Sequence, residues 1–276
     1  MDIDKELVAI VKKIKRDRAL TMLSLPFYII TSVVANTKLG IKCLRFACKW
    51  KCRRVVNFLV SCGINVNAKD NKGNTAVHLA AQYGYSNILE ALIISGGAVN
   101  VEDIYGRTPL FLAALYNHQE AVQTLLQYGA DINHQDNCLN TPFHVAAKCG
   151  YDGILSMFIK RTNCDINDLD GDLYTPLHLA VAHGHKSTAE ILLRNRANVN
   201  ALGGKHRSTP LHAAVMSNNK EMVEILLNKG ANVRIKADVK GHLTALGIAV
   251  AKNNQEIVEL LLTHREIVKA KNSYGI

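Results

Sequence analysis

Apolar residues recur along this chain in short paired bursts separated by polar loops. Ile88-Leu89 with Leu92-Ile93, and Val122 with Leu125-Leu126, stand at helical spacing. Each burst follows a shorter apolar run rich in alanine, with a glycine or asparagine between the two. The pattern predicts pairs of helices joined by tight turns. Between pairs lie segments such as Gly129-Ala130-Asp131-Ile132-Asn133 and polar loops such as Asp103-Ile104-Tyr105-Gly106.

The register is set by Thr75, Thr108, Thr141, Thr175, Thr209 and Thr244, at intervals of 33, 33, 34, 34 and 35. Five residues after each stands Ala80, Ala113, Ala146, Ala180, Ala214 or Ala249. Nine residues after each stands Gly84, Asn117, Gly150, Gly184, Asn218 or Asn253. Glycine and asparagine adopt the left-handed backbone most cheaply, so this slot predicts a helix-ending turn. Threonine is a good N-cap, and proline at 109, 142, 176 and 210 suits the first helical position. A second slot, held by Gly96, Gly129 and Gly230, ends the second helix; Thr162, Arg196 and Arg265 take it elsewhere. One such unit cannot bury its apolar faces alone, and stacking buries them between neighbours.

Thr141-Pro142-Phe143-His144-Val145-Ala146-Ala147, Thr175-Pro176-Leu177-His178-Leu179-Ala180 and Thr209-Pro210-Leu211-His212-Ala213-Ala214 carry one signature. In these segments the chain resembles the ankyrin repeat family. The resemblance implies an all-α solenoid of stacked helix-turn-helix units joined by β-hairpin-like loops. Six repeats follow, over 70–102, 103–135, 136–169, 170–203, 204–238 and 239–271. A degenerate repeat over 37–69 keeps Gly40, Ala47 and Leu59 in register but has Lys42 in the threonine slot and Lys51 in the Gly/Asn slot. Asn272-Ser273-Tyr274-Gly275 reads as the opening of a further loop, after a last helix whose Ile257, Leu261 and Leu262 face no following repeat.

With 276 residues, 48% of them hydrophobic, the chain can bury a sizeable core. Its formal charge of +10 is concentrated: thirteen basic and four acidic residues precede position 58, against twenty and nineteen after it. A uniformly basic nucleic-acid coat is thereby excluded. Lys12 to Arg18 and Lys49 to Arg54 are basic enough to meet an anionic surface, but such runs more commonly form a solvated helix face, and nucleic acid is not favoured as a partner. Seven cysteines and no segment that reads as a secretory leader point to reduced thiols in the cytoplasm or nucleus.

Before the repeats, Ile3, Leu7, Val8, Val11 and Ile14 form a helical stripe, and Ala19 to Asn36 is uncharged. We read 1–36 as an N-terminal helical cap covering the first repeat. Eighteen uncharged residues sit at the lower edge of a bilayer span, so a membrane anchor over 19–36 is the alternative. That alternative would make the repeats the cytosolic region of a membrane-anchored protein. Pro26, Asn36 and basic flanks on both sides argue against it.

Chemical constellations are sparse. His78, His144, His178 and His212 share one slot in separate repeats. Packed helices lie roughly 8–10 Å apart, whereas zinc ligands lie about 2 Å from their metal. These histidines are expected to hydrogen-bond neighbouring loops, and the slot also accepts Phe111 and Gly247. Cys43, Cys48 and Cys52 lack the paired spacing of a zinc site; buried small side chains are the main reading and thiol reactivity in basic surroundings a minor one. No nucleophile elbow, zinc-protease or dinucleotide motif occurs. We expect no enzyme, cofactor, metal or small-molecule substrate.

The resemblance implies a protein-binding scaffold or adaptor whose loop tips and first-helix faces meet the partner. Carried to this chain, the tip candidates are Tyr105, Arg107, Asp172, Tyr174, Lys205, His206 and Lys240. Tyr83, Tyr116, Lys148 and His183 are the helix-face candidates. Asp165, Asp168, Asp170 and Asp172 share one finger, and the next two carry Lys205-His206-Arg207 and then Arg234, Lys236, Lys240 and His242. Such neighbouring patches suit a partner with matching basic and acidic stretches. On carbonate extraction we expect the expressed chain in the supernatant, whereas retention in the pellet would identify 19–36 as an anchor.

Overall fold

The computed structural model describes residues 38–161, 164–238 and 242–274. The expected cap over 1–36, the 19–36 segment, Thr162 and Lys240 lie outside them. Among the described residues the chain forms 14 helices and no strand. It divides into two compact units, one ending at Asn137 and one beginning at Cys138.

The first unit contains α1 (Lys38–Lys49), α2 (Arg53–Ser61), α3 (Ala76–Gln82), α4 (Ser86–Ile94), α5 (Pro109–Leu115) and α6 (Gln119–Gln127). Helix α3 packs on α1, α4 and α5, while α4 packs on α2 and α6, so the helices form two rows. The second unit repeats the plan with α7 (Pro142–Cys149), α8 (Asp152–Ile159), α9 (Pro176–Ala182), α10 (Lys186–Arg194), α11 (Pro210–Met216), α12 (Lys220–Asn228), α13 (Ala245–Ala251) and α14 (Gln255–Tyr274). Here α9 packs on α7, α10 and α11, α10 on α8, and α12 on α14.

The predicted slots do the work expected of them. Ala80, Ala113, Ala146, Ala180, Ala214 and Ala249 are each 0% exposed, and a methyl group is what lets first-row helices approach closely. All six residues of the turn slot are left-handed, with φ between 54° and 75°. Lys51 has φ 56°, so the degenerate repeat keeps its turn despite the lysine. Its first helix is present too; α1 begins upstream of Lys42, which lies inside the helix rather than at its cap.

The fingers are hairpin-like, closed by backbone hydrogen bonds such as Asp103 N–H to the Arg107 carbonyl and Asp170 N–H to the Tyr174 carbonyl, both 3.0 Å, with isolated bridges Gly203–Ser208 and Lys236–Thr244 in the two longer ones. One expectation, about the C-terminal end, is corrected. Helix α14 runs through Tyr274, so Arg265 is not in a left-handed turn and Asn272 to Tyr274 do not open a loop. The sequence explains why: no glycine or proline intervenes between Gln255 and Gly275, and Glu266, Lys269, Ala270 and Lys271 are good helix formers. Ile257 and Leu261 are buried, which leaves Leu262 as the exposed member of the three. No helix among the described residues is long and apolar enough to cross a membrane.

Arg196 does adopt the left-handed turn, with φ 70° where other repeats have glycine. A side chain there costs roughly 1 kcal/mol or more. Arg196→Gly should therefore raise the melting temperature by about 2–4 °C. Calorimetry of the two proteins checks this, and a lower value for the variant would refute it.

Candidate functional site

The faces that meet solvent are built outward from the helix caps. Each cap threonine accepts a hydrogen bond from the backbone N–H three residues on. Where that residue is histidine, its Nδ1 accepts from the threonine N–H: 3.1 Å at His78, 3.3 Å at His144 and His178, and 3.1 Å at His212. An Nδ1 that accepts is unprotonated, so the neutral ring carries its hydrogen on Nε2. That Nε2–H reaches the next finger, donating to the carbonyl of Arg107 (3.1 Å) from His78, of Asp168 (3.0 Å) from His144 and of Ser208 (2.9 Å) from His178. His212 Nε2 is buried with no such partner among the described residues; the finger before Thr244 includes positions 239–241, outside them. The motif histidines are thus committed to caps and loops.

The fingers hang on aspartates, buried at Asp103 and Asp170 and half-buried at Asp70. Asp70 Oδ1 accepts from the N–H of Lys72 and Asn74, and Asp170 Oδ1 from those of Asp172 and Tyr174. Asp103 accepts from Tyr105 and Arg107 N–H and from the Arg107 Nε and Nη2 at 2.9 and 2.7 Å. Burial opposes ionisation of Asp103, but these donors outweigh it and hold its carboxyl below the usual range. Successive fingers are tied together, Ile104 N–H to Lys72 carbonyl and Asn137 N–H to Tyr105 carbonyl in the first unit, at 3.0 and 2.9 Å.

The predicted site residues divide by unit. In the first, Tyr83 caps α3 half-buried, and Tyr116 caps α5 at 46% exposure with its hydroxyl accepting from Gln82. Tyr105 is exposed at its fingertip, with Arg107 lying 4.6 Å over its ring. Arg107 is less available than its position suggests, because its guanidinium is held by Asp103. In the second unit Lys148, Asp172, Lys205 and His206 are exposed. His183 is exposed too, its Nδ1–H donating to the Leu179 carbonyl. Tyr174 is structural: a Cβ on Gly204 would stand 2.5 Å from its hydroxyl, so only glycine admits the ring there. Lys240 lies outside the described residues.

Three exposed residues escaped the sequence reading. Trp50 follows α1 at 47% exposure and stands 33 positions before Tyr83, as Tyr83 does before Tyr116, so stepping back by the repeat length finds it. Leu139 and Leu173 are the other two, and they occupy the slot of Gly73 and Gly106. The thiols are subdued where their shifts are resolved: burial pushes Cys48 up to about 12 and raises Cys43 and Cys62, so basic surroundings create no reactive thiolate there.

A family model described as ankyrin repeats (3 copies) matches residues 44–136, 133–203 and 202–272. The chain belongs to the ankyrin repeat family. Among solved structures it is similar to the human ASB11 ankyrin repeat domain, at 28% identity and a TM-score of 0.70, over 80% of this chain and 96% of that one. The ankyrin repeat domain of Bcl-3, a member of the IkappaB protein family, matches in fold at 24% identity and a TM-score of 0.71, over 79% and 96%. No curated protein sequence matches. Ankyrin repeat domains generally bind other proteins, and it is as such a repeat domain that the faces above are to be understood.

The cap histidines make stability acid-sensitive. Burial lowers the pKa of His178 to about 4, from 6.5, and lowers those of His78 and His212. The unfolded chain therefore binds protons that the folded ankyrin domain excludes. The stabilisation is whole above about pH 6.5 and is lost as pH falls toward 4, with His178 contributing up to ~3 kcal/mol of the loss. Melting curves from pH 7 to 4 should show this fall. His178→Phe, which installs the residue that Phe111 already supplies in this slot, should flatten part of it. An unchanged slope would refute the assignment.

Proposed function

We propose that this chain is a non-enzymatic scaffold or adaptor that works in a reducing compartment, the cytoplasm or the nucleus. It would hold a partner protein on fingertips and first-row helix ends. The observation that carries the reading is the first unit's row of aromatic side chains in one slot of consecutive repeats. Trp50 (47% exposed), Tyr83 and Tyr116 (46% exposed) close α1, α3 and α5, and Tyr105 (50% exposed) stands at the adjoining fingertip. Amphipathic rings of this kind are the usual centres of binding energy, because they bury much area for little lost entropy. The framework beneath them is hydrogen-bonded: Thr75 and Thr108 cap their helices and Asp70 and Asp103 brace their fingers, which lowers the ordering cost of presenting the rings.

In the second unit the candidates are charged. Asp165, Asp168 and Asp172 lie on one finger and Lys205, His206 and Arg207 on the next. Opposite patches of this kind orient a partner and raise its association rate more than its affinity.

The experiment is affinity capture with the whole chain followed by mass spectrometry, repeated with variants. Tyr83→Ala with Tyr116→Ala should weaken capture of a specific partner by tenfold or more. Lys205→Glu with Lys240→Glu should slow association and reduce its salt dependence. A partner retained at full affinity and rate by both double variants would refute the proposed faces.

A further inference from the structure

The second unit holds four leucines in solvent at or beside its fingertips. Leu139 is 50% exposed, Leu169 40%, Leu173 52% and Leu202 40%. Leu139 and Leu173 also have left-handed backbones, at φ 58° and 65°, in the slot that Gly73 and Gly106 fill in the first unit. Each therefore offends twice. Its Cβ crowds the following carbonyl, at roughly 1–2 kcal/mol, and its isobutyl group stands in water where glycine would expose no apolar side chain. Neither the turn nor the core accounts for a leucine here. Local strain combined with exposed apolar surface marks a position held for something outside the fold.

The four lie on linked fingers. Gly171 N–H donates to the Cys138 carbonyl at 3.1 Å, and Gly204 N–H to the Leu173 carbonyl at 3.0 Å. A Cβ at Gly171 would collide with the Cys138 carbonyl oxygen, so the absence of a side chain there lets the 164–174 finger close on the backbone beside Leu139. Charge then selects the partner. Residues 164–174 contain four aspartates and no lysine or arginine. Asp170 is buried and used within its finger, whereas Asp172 is exposed and in no ion pair among the described residues. Asp165 and Asp168 each spend Oδ1 on a backbone N–H of their own finger and join no ion pair among the described residues.

We propose that Leu139 and Leu173 are the apolar anchors of a docking surface for a protein segment that carries one or two large apolar side chains beside lysine or arginine. The inference rests on the reading of this chain as a protein-binding scaffold and names the partner chemistry of one of its faces. The aspartates share the finger of Leu169 and Leu173, whereas Lys205, His206 and Arg207 stand on the following finger, where Arg207 lies 4.0 Å from Asp238; at the two anchors a basic peptide is favoured over a nucleic-acid backbone.

The test is a synthetic array of 15-residue peptides, each holding a central pair drawn from Leu, Ile and Phe. One set is flanked by Lys/Arg, one by Asp/Glu and one by Gln, and affinities for the full chain are measured by fluorescence polarisation. The basic-flanked set should bind at least tenfold more tightly than the acidic set. Leu139→Gly with Leu173→Gly should weaken that binding tenfold or more while raising the melting temperature by about 2–4 °C per site. Leu139→Asn with Leu173→Asn, which keeps a residue tolerant of the left-handed turn, should lose binding without loss of stability. Equal affinity for all three sets, unchanged binding by both variants, or a lower melting temperature for the glycine variant would overturn the proposal. So would an array with no binder, and that outcome would leave the scaffold reading to be decided by affinity capture.

Discussion

Three of the repeats hang on one bridge: a histidine ring that joins the start of its own helix to the backbone of the next finger. The threonine N–H and hydroxyl engage Nδ1, and Nε2–H is thereby aimed at a carbonyl 24 to 30 residues further along the chain. First-row helices of seven or eight residues are too short to stand alone in water. The bridge makes the capping of each one conditional on its neighbour. Local order and stacking therefore form together, and the same linkage explains why the ring must stay neutral for either to persist.

Asparagines at the bases of the fingers add a second ladder of the same kind. Asn67 donates to the Gly96 carbonyl and accepts from Ala98 N–H, and Asn100 does the same with Gly129 and Asp131. Asn200 repeats the pattern with Gly230 and Asn232 in the second unit. With helix turns, finger bases and caps all satisfied by side chains that recur in register, the intervening tip residues carry little structural duty. Tyr105 can differ from Lys72, and Leu173 from Gly106, without disturbing what holds the fingers together. Variation is confined to where a partner would meet it.

Much of this was legible in the sequence because each recurring residue answers a backbone demand that recurs with it. Threonine at an N-cap, glycine or asparagine at a left-handed turn and alanine between close helices are chemical requirements of single positions, readable without knowing the neighbours. What escaped reading depends on context. Arg107 is a fingertip residue by position, but the buried carboxylate of Asp103 four residues earlier captures its guanidinium. Tyr174 has the type of a hot spot, yet the extra residues of the next finger bring Gly204 beneath its ring. Arg265 aligns with a turn, but nothing in the following nine residues stops a helix, and α14 continues. The first helix of the degenerate repeat has Lys42 where other repeats have threonine, yet it forms and packs on α2 and α3.

The exceptions to the repeat are therefore of two physical kinds, and they separate structural from functional deviation. Lys51, Asn117 and Arg196 bear the left-handed backbone with exposed polar or charged side chains, which water accepts at no further cost. Leu139 and Leu173 bear the same backbone with side chains that water disfavours as well. In the first group only the backbone strain remains; in the second both costs stand, and the compensation has to come from elsewhere. A repeat protein offers an internal control that most folds lack. Each slot is sampled several times in one molecule, so a residue that is costly in its slot on two independent counts stands out against its own repeats, with no other sequence needed for the comparison.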